Sequence, residues 1–140
     1  MEDRYLFKAK RFDNGEWVTG SLITCEDGTC KIATSCLEGK ADEPILVCAY
    51  DVDRDTICQC TGLRDNSGKL IWENDIVRDK EGNCYKAFWQ NNYYQFSWIC
   101  VKSDIFQIGT KWDLYIWRSF EIAVIGNIFD NPELLESEGK

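Results

Sequence analysis

The chain has 140 residues, 29% of them charged and 44% apolar, with a formal net charge of −8 and no histidine. That composition excludes wholesale disorder, and a chain near this size buries about 70% of the surface its unfolded form exposes, so it needs no metal or disulfide staples. There is no basic stripe to displace counterions, no run approaching the ~20 apolar residues of a membrane span, and no basic start at Met1-Glu2-Asp3-Arg4. The expectation is a cytoplasmic protein that binds neither nucleic acid directly nor membrane.

Tyr5, Phe7 and Ala9 alternate with Lys8 and Lys10, which is strand periodicity, and Asn14-Gly15 is the pair that a tight hairpin prefers. A return strand runs from Glu16 past Gly20 to Thr24, and Asp27-Gly28 turns the chain into a partner strand over residues 29–32. From Ala33 to Pro44 the periodicity fails, which predicts a surface loop. Residues 45–50 are uninterrupted apolar sequence of strand length, the pattern of a strand covered on both faces. Asp51-Val52-Asp53-Arg54-Asp55 lacks the Gly and the distant Glu of a calcium loop and reads as a solvated connector.

The centre of the chain is a specification for backbone shape. Two apolar runs, residues 57–63 and 70–72, flank Asp65-Asn66-Ser67-Gly68, with Asp opening and Gly closing a four-residue turn. A second turn follows at Glu73-Asn74-Asp75, where Asn tolerates a positive φ, and a strand resumes at Ile76-Val77. Turns at residues 81–83 and at Asn91-Asn92 separate strands over 85–89 and 93–101. Residues 104–118 fit either a helix, with Ser103 as its cap, or strands. After a last strand over 121–129, Asp130-Asn131-Pro132-Glu133 has Asn in a capping position and Pro first, predicting a short C-terminal helix. The fold expected is mainly β, an antiparallel meander or barrel with an SH3-like element and that short helix, in a single domain over residues 1–140.

The eight cysteines, at 25, 30, 36, 48, 58, 60, 84 and 100, are expected to be reduced and to serve as small core hydrophobes, because no export signal accompanies them. No pair has the C-x2-C spacing of a zinc ribbon, and no metal or cofactor is expected.

Taken together these segments resemble the YopX family of phage and prophage proteins. The resemblance lies in Gln59-Cys60-Thr61-Gly62-Leu63, in Asp65 and Gly68, in Ile71-Trp72-Glu73-Asn74-Asp75-Ile76-Val77, in Ile125-Gly126-Asn127-Ile128-Phe129-Asp130-Asn131-Pro132-Glu133-Leu134, and more weakly in the N-terminal opening up to Gly20-Ser21-Leu22-Ile23. The sequence departs from the family pattern at Cys60, where an aromatic is usual, and at Asn74, where Gly is usual. What the resemblance implies is a phage or prophage setting and self-association, with no assigned activity or catalytic residues. Gln59, Thr61, Gly62, Asp65, Gly68, Trp72, Glu73, Asp75, Gly126, Asn127, Asn131 and Pro132 are therefore candidates for architecture or binding.

Asp65, Glu73 and Asp75 form the most plausible acid cluster, and a group of this kind holds magnesium or works as acid and base in a phosphoesterase. Against that, each sits where a turn needs its amides capped. Nucleophiles would have to act without imidazole, which removes most hydrolase mechanisms. The six Trp and six Tyr suit either a recognition groove or a core and subunit contacts, and Trp72, Trp89 and Trp98 are expected to be mostly buried. The reading that results is a non-enzymatic, self-associating protein-interaction module with a protein partner. A phosphoesterase is the enzymatic alternative, and an acidic mimic of nucleic acid the electrostatic one.

Overall fold

The computed structural model describes residues 3–35, 47–113 and 121–135. It is mainly β and consists of antiparallel sheets. The chain divides into two compact units, and the boundary, between Cys60 and Thr61, falls inside a strand and not in a linker.

In the first unit, β1 (Phe7–Lys10), β2 (Trp17–Thr24), β3 (Cys30–Ser35) and β4 (Val47–Val52) form a meander, and β5 (Cys58–Arg64) pairs with β1 on its other side. Alternation decides the faces: Ala9, Cys30, Ile32 and Val52 form the buried core, with Phe7, Val18, Leu22 and Ile57 packed against it. Lys8 and Lys10 lie instead over the ring of Trp17, at 4.5 and 5.4 Å from its centroid. β2 and β3 approach closely at Gly20, where a Cβ would lie 2.1 Å from the carbonyl oxygen of Ala33.

In the second unit the rest of β5 forms the central hairpin with β6 (Leu70–Trp72), and β7 (Asp75–Arg78), β8 (Cys84–Gln90), β9 (Gln95–Lys102), β10 (Lys111–Asp113) and β11 (Ala123–Asn127) build a five-stranded sheet in the order β10-β9-β8-β7-β11. Its core is larger and aromatic: Ile71, Val77, Tyr85, Ala87, Trp98, Cys100 and Ile122, with Leu63, Trp112 and Val124 against it. Trp112 is fixed edge-on between Tyr85 and Phe106, with ring centroids 5.6 and 5.1 Å away.

Several expectations are corrected. The sheets are open, not a closed barrel. A single bridge, Arg11 to Val52, links the far ends of β1 and β4, and one bridge does not close a sheet. The C-terminal helix is one 3-10 turn, Pro132–Leu135, without a buried residue, too short and too solvated to propagate as an α-helix. The run at 45–50 is not covered on both faces: β4 is the outermost strand, with Val47 and Ala49 exposed, and Ile45 and Leu46 lie outside the described residues. The loop expected from Ala33 begins later, because β3 runs to Ser35, and most of its span lies outside the described residues.

Within 104–118, strand β10 is present and residues 104–110 form turns and bends, with the remainder again outside the description. Ser103 does cap, accepting from the amides of Ile105 and Phe106, but it caps a loop. Trp72 and Trp98 are buried, whereas Trp89 is 40% exposed. Cys25, Cys30, Cys58, Cys60, Cys84 and Cys100 are free thiols, while Cys48 is disulfide-bonded, against the expectation that every cysteine is reduced.

Candidate functional site

The signature residues on the central hairpin hold backbone. Thr61 Oγ1 donates to the carbonyl of Ile71 at 2.7 Å and accepts from the amide of Leu63, tying β5 to β6. Asp65, 7% exposed, does the most: Oδ1 accepts from the amides of Ser67 and Lys69 and from the Ser67 hydroxyl, each at 2.9 Å. Its Oδ2 accepts from the amide of Val124, 59 residues away. Burial alone pushes this carboxyl up, but the amides of Val124 and Lys69 and both Ser67 groups outweigh it and hold Asp65 below its usual range. Gly62 and Gly68 supply positive φ, +84° at each.

At the second turn Asn74 adopts φ +72°, as its sequence position predicts, and its amide donates to Ala87 while its carbonyl accepts from Ile128. Asp75, 3% exposed, accepts from the amide of Trp72 at 2.8 Å. Glu73 is half-buried in the same turn, and Gln59 sits in β5 opposite Phe7. The C-terminal signature repeats this role. Asn131 Oδ1 accepts from the amide of Asn127, and a Cβ at Gly126 would lie 2.4 Å from that same oxygen, so glycine leaves the space that Asn131 fills. Asn127 Oδ1 in turn accepts from the amides of Phe129 and Asp130, and Pro132 opens the 3-10 turn. Asp65 and Asn131 thus occupy amides along β11, the last strand of its sheet, which blunts that edge.

Asp65, Glu73 and Asp75 are not brought together as a cation cage: no group of three or more Asp, Glu, Cys or His positioned for a metal occurs among the described residues. A carboxylate whose lone pairs already accept backbone amides is a poor ligand and a poor base. Burial pushes the thiols of Cys84 and Cys100 up, which keeps them protonated. Asp79 repeats the Asp65 arrangement without belonging to the signature. It accepts from the amides of Glu81 and Asn83, from the Asn83 side chain and from the Tyr85 hydroxyl, and these bonds hold it below its usual range despite burial.

A cleft with a polar wall lies elsewhere, and the sequence did not single out its residues. It has a volume of about 540 Å3 and is lined by Gln90, Tyr93, Gln95, Lys111, Trp112 and Asp113. Gln90 and Gln95 face each other across the β8–β9 hairpin, and β10 brings Asp113 opposite Ser97. Gln95 Nε2 donates to Asp113 Oδ1 at 2.5 Å and to Ser97 Oγ at 3.3 Å, and the fully buried Ser97 donates to Gln90 Oε1 at 2.9 Å. A turn after Gln90 was legible in the sequence, but a turn of Asn91-Asn92 alone would set Gln90 opposite Tyr93; the observed one runs on through Tyr94, at φ +52°, and sets it opposite Gln95. The arrival of Asp113 was not legible at all.

Fold and signature together define a mainly-β protein whose marked residues shape hairpins. The sequence matches the YopX protein family over residues 6–136, nearly its whole length, and the chain belongs to that family. A similar solved structure is that of protein EF1440 from Enterococcus faecalis, with a TM-score of 0.55 and 22% identity over 93% of this chain and 96% of that one, a likeness of fold. No curated protein matches the sequence.

Proposed function

We propose that this chain is a non-enzymatic binding protein that associates with itself and with a protein partner. The observation that carries the reading is a contrast in side-chain use. Asp65, Asp75, Asn127 and Asn131 are engaged with backbone, while the turns at the two ends of β9 expose large apolar side chains: Tyr93 and Tyr94 at one end, Ile105, Phe106 and Ile108 at the other. Residues of this kind at protein surfaces anchor interfaces when they cluster. The family resemblance adds the phage or prophage setting, and with it an accessory role in a host cytoplasm.

Light scattering across a concentration series tests self-association. An oligomer is expected that Ile105→Asp combined with Ile108→Asp returns to monomer without loss of strand content. A chain that stays monomeric up to about 1 mM, where association is worth no more than about 4 kcal/mol, refutes it.

A further inference from the structure

We propose that the cleft on β8, β9 and β10 is a binding site for the base of a free nucleoside or mononucleotide. This goes beyond the interaction reading and does not depend on it.

The argument begins with which atoms the hydrogen-bond chain leaves over. A carboxylate only accepts, so the group of Gln95 that meets Asp113 is its Nε2, and Gln95 Oε1 is left as an acceptor. Ser97 accepts from Gln95 and donates its own proton to Gln90 Oε1, which leaves Gln90 Nε2 as a donor. Two paired glutamines thus present a donor beside an acceptor, held by the buried Ser97 and the Asp113 carboxylate. Nucleobase edges carry the complementary pair, an amino or imino N–H beside a ring nitrogen or carbonyl, and glutamine reads such an edge with two bonds.

Tyr93 supplies the aromatic wall, 68% exposed on the turn that begins the cleft. The ring of Trp112 is no second wall, because alternation along β10 puts it with Trp98, Tyr85 and Phe106 on the face opposite Asp113 and Ser97. A planar base gains from stacking on the Tyr93 ring whatever its identity. The volume of about 540 Å3 is that of a small-ligand site. Lys111 supplies one cation at the rim, enough for a single phosphate, and a chain with a net charge of −8 repels a polymer of phosphates. The occupant is therefore a single nucleotide and not a strand.

The test titrates adenosine, cytidine, guanosine, uridine and AMP into the full chain, reading tryptophan fluorescence and the side-chain amide resonances of Gln90 and Gln95. Saturable binding of at least one of these at about 1 mM or tighter is expected, with both glutamine amides shifting. Tyr93→Ala, on an exposed turn, is expected to weaken binding about tenfold, the effect of one lost stack, and Gln95→Glu to do at least the same. Ile23→Ala, exposed in the first unit, leaves the affinity unchanged. No saturation with any of the five ligands overturns the proposal. So does binding that ignores both cleft variants, and so does a single-stranded oligoadenylate that binds where adenosine and AMP do not.

Discussion

The two units solve the same problem, closing hairpins around a small core, with different means. In the first, the core is Ala9, Cys30, Ile32 and Val52, and exposed groups hold the turns and one strand pair: Asp27 accepts from Thr29, Arg11 pairs with Asp13, and Lys31 on β3 pairs with Asp51 on β4. In the second, the core is built on Trp98 and Tyr85, and the turn carboxylates are more enclosed: buried Asp65 reaches Val124, 59 residues away, and half-buried Asp79 accepts from Tyr85 within its own hairpin. An Asp at the start of a turn is local punctuation when it stays in water. Once buried it becomes a tertiary bond, because a charged acceptor with satisfied amides is strong and one without them is costly.

Core truncations give the largest effects. Trp98→Ala is expected to cost about 3–5 kcal/mol and Ile32→Ala about 2–5, both measured by urea unfolding. Hydrogen exchange sharpens the contrast, since Trp98→Ala is expected to speed exchange on β8 and β9, and Ile32→Ala on β2 and β3. Equal losses of protection throughout both units in each variant would break the two-unit description.

Asp65→Asn comes next, at about 1–3 kcal/mol at pH 7. Its pH dependence carries the sign of a lowered carboxyl. The folded state holds Asp65 and Asp79 below the value of 3.8 that an unfolded chain shows, so it binds fewer protons there. Their contribution is complete above about pH 5 and is lost as the pH falls through the folded values. Asp65→Asn combined with Asp79→Asn should therefore flatten the fall in stability between about pH 5 and pH 3; an unchanged slope would remove these carboxylates from the explanation.

Gly126→Ala is expected to cost about 1–2 kcal/mol, because the new methyl displaces Asn131 from the amide of Asn127. Adding Asn131→Ala should make the pair non-additive, with the double variant no worse than Asn131→Ala alone. The smallest effect belongs to the first unit's surface. Asp13→Ala, which removes the exposed partner of Arg11, should leave the thermal midpoint unchanged by calorimetry.

Much of the hairpin grammar was legible locally. Asn14-Gly15, Asp27-Gly28, Asp65 through Gly68 and Asn74 each specify a turn by residues within four positions of one another, so a one-dimensional reading reaches them. The signature's structural character was legible for the same reason. The capping pattern before Pro132 predicts a helix but yields only a 3-10 turn, because a cap starts a helix only when an apolar face follows to be buried, and here Leu134 is half-buried and Leu135 exposed.

Composition and turn chemistry by themselves determined that this chain is mainly β, where its hairpins bend and which family it belongs to, since those properties depend on neighbours along the chain. Only the tertiary structure decided that the sheets stay open, that Asp65 reaches Val124, that Asn131 needs Gly126, and that Gln90, Gln95, Ser97 and Asp113 meet in one hydrogen-bonded row. Such pairings join residues as far as 59 positions apart, and they are set by which strands lie side by side, a choice made by packing the core as a whole.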